Sequence, residues 1–111
     1  MKIFDLSGKI SLIIGGSQGI GFAIAKGLAT AGATIIIANR KIENGQKAAE
    51  SLKKEGFQAV AIPTDITSKS SIESLISQVI REFKRIDILV NSAGAMVRKP
   101  IEDITEVYLL C

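Results

Sequence analysis

The chain contains 111 residues, of which 47% are hydrophobic and 23% are charged. This length and composition predict a single folded domain and exclude disordered and collagen-like proteins. The net charge is +3, from 14 Lys and Arg residues and 11 Asp and Glu residues, and the basic residues are scattered along the chain. Because nucleic-acid binding needs a basic patch or stripe, we predict that nucleic acid is not a partner.

Residue types that bind metals or form disulfides are scarce. Cys111 is the only cysteine and the chain has no histidine, so we predict neither an intrachain disulfide nor a zinc site. The first residues, MKIFDLSGK, lack the apolar run of a signal peptide. No segment has the roughly 20 consecutive apolar residues of a membrane span. We therefore expect a soluble, cytoplasmic protein that contacts no membrane.

Four short apolar runs rich in β-branched residues predict strands that are buried on both faces of a parallel sheet. Segments with apolar residues at helical spacing predict three helices between them, near 19–31, 41–55 and 70–83. Right-handed crossovers between such strands predict an α/β fold, a Rossmann-like doubly wound parallel sheet with strand order 3-2-1-4. The predicted strands are Lys9–Ile14, Thr34–Asn39, Ala59–Pro63 and Ile86–Asn91.

The ends and faces of the helices are also predicted. Gly32 and Gly56 follow the first two helices, where a left-handed cap is favoured. Ser70 and Glu73 have the spacing of a capping box at the start of the third helix. The inward face of the first helix is predicted to contain Ile20, Ala23, Ile24, Gly27 and Leu28.

A glycine-rich turn, GGSQGIG, follows the first strand and opens the first helix. Its GxxxGxG spacing suits a sharp exit from the strand at Gly15, close approach of a pyrophosphate at Gly19, and close helix packing at Gly21. The free N–H groups at the helix start also favour an anion. A structural turn that binds nothing is the alternative, but the strand–turn–helix context favours a dinucleotide site. The predicted cofactor contacts in this turn are Gly15, Ser17, Gln18, Gly19, Ile20 and Gly21.

The end of the second strand indicates which dinucleotide is bound. An acid that accepts hydrogen bonds from the adenosine ribose usually stands here in NAD sites, whereas this chain has Asn39 followed by Arg40. Without a carboxylate to repel it, a 2′-phosphate can approach and be bound by the guanidinium. We therefore predict NADP (NADPH) rather than NAD. The alternative is that Arg40 is a solvated charge at a helix start.

These motifs, in this order, resemble the short-chain dehydrogenases/reductases over essentially the whole chain, from FDLSGK through GxxxGxG and Asp65-Ile66-Thr67 to IDILVNSAG. The resemblance implies that Asp65 hydrogen-bonds the adenine amino group and that the backbone at Ile66 supports the ring. It also implies that the segment containing Asn91, Ala93 and Gly94 passes beside the cofactor ribose, and that Asn91 ties the central sheet together. Outside the family, Asp65 would be a helix-capping acid and Asn91 a strand-end turn residue.

The chain departs from the family pattern at a few positions. Ile14 stands where a threonine commonly precedes the first glycine, and Ser92 where a second asparagine is common. The family's catalytic serine, its tyrosine and lysine in a YxxxK pattern, and its water-holding asparagine have no counterpart here, and Tyr108 lies too close to Cys111 to be that tyrosine. We therefore expect residues 1–111 to be an incomplete NAD(P)-binding domain without its catalytic half, inactive alone, from a fragment or a truncated or frameshifted product.

The resemblance implies hydride transfer between the nicotinamide and a small-molecule carbonyl/alcohol pair. The segment GAMVRKP resembles the same stretch of gluconate 5-dehydrogenase-like sugar-acid dehydrogenases, in which a basic pair follows the glycine. Arg98 or Lys99 would then attract a carboxylate, unless both are solvated loop charges. The alternatives are a 3-oxoacyl carrier-protein reductase fragment, a non-catalytic dinucleotide-binding module and a non-functional product.

A sheet with only four strands predicts exposed apolar surface. With order 3-2-1-4, the fourth strand (IDILV) would lie at an unpaired sheet edge. The third helix alone would cover one face and leave apolar surface exposed near strands one and four. We therefore expect self-association or marginal stability.

Overall fold

The computed structural model describes residues 5–15, 17 and 19–92, together with the backbone of a strand further along the chain. Strands and helices alternate from the first strand to the fourth, and the fifth strand follows without a described helix. The elements in chain order are β1 (Ile10–Ile14), α1 (Gly19–Thr30), β2 (Thr34–Asn39), α2 (Ile42–Lys54), β3 (Ala59–Pro63), α3 (Lys69–Phe83), β4 (Ile86–Asn91) and β5 (Ile104–Leu109).

The five strands form one parallel sheet with the order β3-β2-β1-β4-β5. At its centre, Leu12 of β1 lies opposite Ile36 of β2 on one side and Leu89 of β4 on the other. The predicted α/β class, the strand order 3-2-1-4 and the three helices are confirmed. Three of the four predicted strands have the observed bounds, because each apolar run is bounded by turn residues.

The fifth strand was not predicted. It pairs in parallel with β4, from Ile104 opposite Ile86 to Leu109 opposite Asn91. The prediction that β4 lies at an unpaired sheet edge is therefore wrong. The segment ITEVYL is rich in the β-branched and aromatic residues that favour strands, but it lacks the continuous apolar run that identified the other four.

Each face of the sheet has its own apolar cluster. One cluster packs under α1 and α2, and the other under α3. Side chains of β1 and β4 are buried in both, with Leu12 0% exposed and Leu89 4% exposed. The prediction that apolar surface is exposed near strands one and four is therefore wrong for the described residues of these strands. Self-association stays a prediction and would need another surface.

The buried face of α1 consists of small residues one helical turn apart: Gly21, Ala25 and Ala29. Small side chains let the helix axis approach the sheet closely, and larger neighbours then pack at the margins. Ile24 and Leu28 lie at such a margin, half-buried against the cluster. The predicted inward face is wrong for the remaining three residues, Ile20, Ala23 and Gly27, which are exposed.

The helix ends agree with the sequence prediction at two of three positions. Gly32 and Gly56 have φ angles of 109° and 91°, so both residues are left-handed, as predicted. The predicted cap at Ser70 is wrong, because α3 already begins at Lys69 and Ser68 is its N-cap. The Ser68 side chain accepts a hydrogen bond from the Ser71 N–H at 3.2 Å. Ser68 therefore has the capping role that the spacing of Ser70 and Glu73 assigned to Ser70.

A polar cluster lies at the amino end of the sheet. Asp87, on β4, is 4% exposed, and its Oδ2 accepts a hydrogen bond of 2.8 Å from the backbone N–H of Ile10 on β1. Its Oδ1 accepts a hydrogen bond of 2.9 Å from Nε of Arg85. Burial raises the pKa of Asp87, but these hydrogen bonds outweigh it and hold the pKa below its usual value. The buried carboxylate therefore joins two neighbouring strands.

Candidate functional site

A cleft of about 590 Å³ opens at the carboxyl ends of β1, β2 and β3. In open parallel sheets, ligands bind outside the carboxyl ends of the strands, where the strand order reverses. Here the order reverses beside β1, since the chain runs outward to β3 and returns to β4 on the other side. Six of the predicted cofactor contacts line the cleft: Gly15, Ser17, Asn39, Arg40, Asp65 and Ile66.

The glycine-rich turn leaves β1 through Gly15, which has a φ angle of 81°. Residues other than glycine rarely adopt a positive φ angle, so the sharp exit from β1 favours glycine at this position. The Gly15 N–H donates a hydrogen bond of 2.8 Å to the carbonyl of Ala38 on β2. Further on, a Cβ at Gly19 would point into open space, and α1 has no acidic residue in its first turn. The start of α1 is thus sterically and electrostatically open to an anion.

The end of β2 supplies two consecutive cations to the cleft. Asn39 is half-buried, while Arg40 and Lys41 are exposed and line the cleft beside it. Among the described lining residues, Asp65 at the end of β3 is the only acid. This part of the cleft therefore carries net positive charge and suits an anionic group.

Asp65 is held in a turn between β3 and α3. Its Oδ1 accepts hydrogen bonds from the hydroxyl and the N–H of Thr67 at 2.6 Å and 2.9 Å. These hydrogen bonds lower the pKa of Asp65, and the positive charge of Arg40 lowers it further. Asp65 is not the cap of α3, since Ser68 has that position. Its carboxylate remains an ionised acceptor at the cleft.

Five lining residues were not among the predicted contacts: Ala38, Lys41, Asn44, Thr64 and Thr67. Asn44 comes from the first turn of α2, which packs unusually close to the sheet. A Cβ added at Gly45 would lie 3.3 Å from Cβ of Ala61 and 3.4 Å from Cβ of Asn39. This close approach keeps Asn44 beside the cleft. No local sequence signal identifies Asn44, because its position depends on how closely α2 packs at Gly45.

The end of β4 lies next to the glycine-rich turn. Asn91 is buried, and its backbone lies opposite Ile14 of β1 and Leu109 of β5. Ser92 follows, and its backbone N–H donates a hydrogen bond of 3.0 Å to the carbonyl of Ile14. Its hydroxyl oxygen lies 3.1 Å and 3.0 Å from the carbonyl oxygens of Ile14 and Gly15. In the sequence, Ser92 is only a departure from the family pattern, and no local pattern predicts these contacts.

The remaining predicted contacts fall into two groups. Four lie in described parts of the chain but do not line the cleft: Gly19, Ile20, Gly21 and Asn91. Gly21 is buried in the face of α1 toward the sheet, and Ile20 is 68% exposed. Predicted residues outside the described residues are Gln18, Ala93, Gly94, Arg98 and Lys99.

In the described part of the chain, no group of three or more His, Cys, Asp or Glu residues could hold a metal ion. No helix of the same residues is long and apolar enough to cross a membrane.

Known proteins resemble the chain in both sequence and fold. The sequence model of the family described as short chain dehydrogenase matches residues 9–108. A protein of Escherichia coli (strain K12) named 5-keto-D-gluconate 5-reductase is 42% identical over 104 residues, which are 94% of this chain and 41% of that protein. The chain therefore spans less than half the length of this curated relative.

Solved structures of other proteins also resemble the chain, in fold as well as in sequence. The crystal structure of 2-keto-3-deoxy-D-gluconate dehydrogenase from Streptococcus agalactiae has a TM-score of 0.77 at 41% identity, over 88% of this chain and 37% of that one. The RhlG/NADP active-site complex of Pseudomonas aeruginosa has a TM-score of 0.78 at 40% identity, over 83% of this chain and 37% of that one. The predicted Rossmann-like fold and the predicted resemblance are confirmed.

Proposed function

We propose that this chain, which belongs to the short-chain dehydrogenase family, is the dinucleotide-binding part of an oxidoreductase that prefers NADP(H) and acts on a carbonyl/alcohol pair. The observation that carries the cofactor preference is the end of β2, where Asn39, Arg40 and Lys41 follow one another and no carboxylate is present. The RhlG complex adds support, because that relative is solved with NADP.

NADP differs from NAD by a 2′-phosphate on the adenosine ribose. A carboxylate at the end of β2 would accept hydrogen bonds from a ribose hydroxyl but repel a phosphate. The neutral amide of Asn39 does not repel it, and the guanidinium of Arg40 can bind it through charge-assisted hydrogen bonds. Lys41 adds a second positive charge at the same edge of the cleft. Both cations therefore favour the phosphorylated dinucleotide.

The other residues are proposed to hold the rest of the dinucleotide. The pyrophosphate would lie against the glycine-rich turn and the start of α1, where the open space at Gly19 provides room for it. The ionised carboxylate of Asp65 would accept from the adenine amino group, with Ile66 beside the ring. Asn91, Ala93 and Gly94 would lie beside the cofactor ribose, as the family resemblance implies. The bound cofactor supplies hydride transfer, and the chain supplies binding and orientation.

Titration of the purified chain with NADPH and NADH, followed by cofactor fluorescence, tests this proposal. We expect saturable binding that is tighter for NADPH, and a loss of about tenfold in NADPH affinity on Arg40→Ala with little change for NADH. Lys54→Ala is the matched control, because it removes an exposed positive charge from the far end of α2. Absence of binding in the parent chain would overturn the proposed function. Equal losses for both cofactors would overturn the phosphate contact.

For the substrate we propose a sugar acid. Two relatives support this class, one named 5-keto-D-gluconate 5-reductase and one named 2-keto-3-deoxy-D-gluconate dehydrogenase. We further propose that residues 1–111 alone bind the cofactor without turnover, since the family's catalytic YxxxK pattern is not in this sequence. NADPH absorbance during incubation with 5-keto-D-gluconate is then constant. A change in the fluorescence of bound NADPH on addition of 5-keto-D-gluconate, without a change on addition of a 3-oxoacyl thioester, would support a sugar acid as the substrate. A change with the 3-oxoacyl thioester alone would favour a 3-oxoacyl reductase.

A further inference from the structure

The two small departures from the family pattern, Ile14 and Ser92, are neighbours in the structure. Ile14 ends β1 and Ser92 follows β4, and the two strands pair in parallel. An isoleucine at position 14 supplies no hydroxyl at the start of the glycine-rich turn. Ser92 supplies one from the adjacent strand, with Oγ at 3.1 Å from the Ile14 carbonyl oxygen and 3.0 Å from the Gly15 carbonyl oxygen.

The serine hydroxyl has one proton for these two acceptors. The Ile14 carbonyl already accepts a hydrogen bond from the Ser92 backbone N–H at 3.0 Å. Donation of the hydroxyl proton to the Gly15 carbonyl, 3.0 Å from Oγ, gives each of the two carbonyls one hydrogen bond from Ser92. This assignment makes the Ser92 side chain a donor to the first residue of the glycine-rich turn.

Gly15 is then held from both sides. Its N–H donates to the Ala38 carbonyl on β2 at 2.8 Å, and its carbonyl accepts from Ser92 beyond β4. The φ angle of 81° is one of many conformations open to glycine, because glycine has wide conformational freedom. Hydrogen bonds on both sides restrict that freedom. The direction in which the chain leaves β1 is thereby fixed.

We propose that Ser92 is a positioning residue of the dinucleotide site, whose hydroxyl fixes the Gly15 carbonyl and so orients the glycine-rich turn toward the pyrophosphate. The inference rests on the proposed function, because it assumes that this turn binds a dinucleotide. Ser92 acts through Gly15 and is not itself a ligand. Its removal therefore affects NADPH and NADH equally, since the two cofactors share the pyrophosphate.

The test compares Ser92→Ala with Ser92→Thr, which keeps the hydroxyl. We expect Ser92→Ala to weaken both cofactors by about fivefold, the size of one hydrogen bond, and Ser92→Thr to restore most of the affinity. Ser11→Ala is the matched control: it removes a buried hydroxyl from β1, the neighbouring strand, that has no hydrogen-bond partner in the described residues. The carbonyl ¹³C resonance of Gly15 should move in Ser92→Ala and stay in Ser92→Thr.

The outcomes separate this inference from the proposed function. No binding of either cofactor by the parent chain would overturn both. Binding by the parent chain with unchanged affinity in Ser92→Ala would overturn the role of Ser92 alone. Equal weakening by Ser92→Ala and Ser92→Thr would also overturn it, because the hydroxyl would then be irrelevant. Weakening of NADPH alone would assign Ser92 to the phosphate contact instead and overturn the positioning role.

Discussion

The two ends of the parallel sheet each hold an aspartate, and the two carboxylates have different surroundings. Asp87, at the amino end, is buried and accepts hydrogen bonds on both oxygens from Arg85 and Ile10. Asp65, at the carboxyl end, is half-buried at a cleft and uses Oδ1 in a turn with Thr67. Both pKa values are lowered by hydrogen bonds, so both groups are ionised at neutral pH.

The two aspartates illustrate how a structural acid differs from a ligand-binding one in this fold. A lowered pKa alone does not distinguish them, because both aspartates have one. Burial and one partner do so. Asp87 accepts a hydrogen bond from Ile10 on the neighbouring strand β1 as well as from the nearby Arg85, whereas the carboxylate of Asp65 accepts only from Thr67 of its own turn among the described residues. The buried carboxylate with a partner on another strand stabilises the fold, and the half-buried one lines the cleft.

The largest effect should come from deleting each carboxylate in turn. Asp87→Ala leaves the buried N–H of Ile10 without its partner, and we expect a loss of about 2–3 kcal/mol in the free energy of unfolding. Asp65→Ala should change that free energy little but weaken NADPH binding. Urea unfolding and cofactor titration of both variants measure these effects. Reversal of the pattern, with Asp65→Ala the more destabilised, would break the comparison.

The second effect is a loss of folding stability at acidic pH. Burial raises the pKa of Asp87 and its hydrogen bonds lower it more, so the folded pKa lies below the ordinary value of about 3.9 for an unfolded chain. Between these two pKa values the unfolded chain binds more protons, so the stabilisation is complete above about pH 5 and is lost as the pH falls through the folded pKa. Asp65 contributes in the same direction.

The measurement is the free energy of unfolding between neutral pH and strongly acidic pH, for the parent chain and Asp87→Asn. We expect the parent chain to lose stability more steeply with falling pH, because the amide of the variant does not titrate. An Asp65→Asn variant, measured in the same way, gives the contribution of the second carboxylate. Identical slopes for the parent chain and Asp87→Asn would show that Asp87 does not carry the acid sensitivity.

The smallest expected effect is a change in stability at Lys84, three residues before Asp87 in the sequence. Lys84, the C-cap of α3, has a φ angle of 74°, a left-handed conformation that costs a residue with a side chain about 1 kcal/mol. Lys84→Gly should therefore raise the free energy of unfolding by about 1 kcal/mol and leave cofactor affinity unchanged. Thermal unfolding checks the first expectation and titration the second. A stabilised variant with altered NADPH affinity would mean that the two ends of the sheet are coupled.

The sequence predicted most of the fold because the strands are continuous apolar runs between turn residues. β2, β3 and β4 have the predicted bounds for this reason. Prediction failed where local pattern and tertiary packing disagree. Ile20 is apolar and was placed inward, yet the sheet accepts the small face of α1 and leaves Ile20 exposed. β5 pairs through its backbone and has no apolar run to identify it.

The candidate site shows the same division. Residues at strand ends, such as Asn39, Arg40 and Asp65, could be selected because strand ends meet at one edge of a parallel sheet. Asn44 could not be selected from strand ends, because its position depends on how closely α2 packs at Gly45. The proposed role of Ser92 depends on its contact with the end of β1, and Ile14 there lies 78 residues earlier in the sequence. Such contacts have no local signature.

The close packing at Gly45 also limits which mutations the chain can accept. Any residue that replaces Gly45 adds at least a Cβ, and this atom would lie 3.3 Å from Cβ of Ala61. The contacting side chains of Ala61 and Asn39, or the first turn of α2 itself, would have to give by a few tenths of an ångström. Asn39 and Asn44 both line the cleft, so a substitution at position 45 acts directly beside the candidate site.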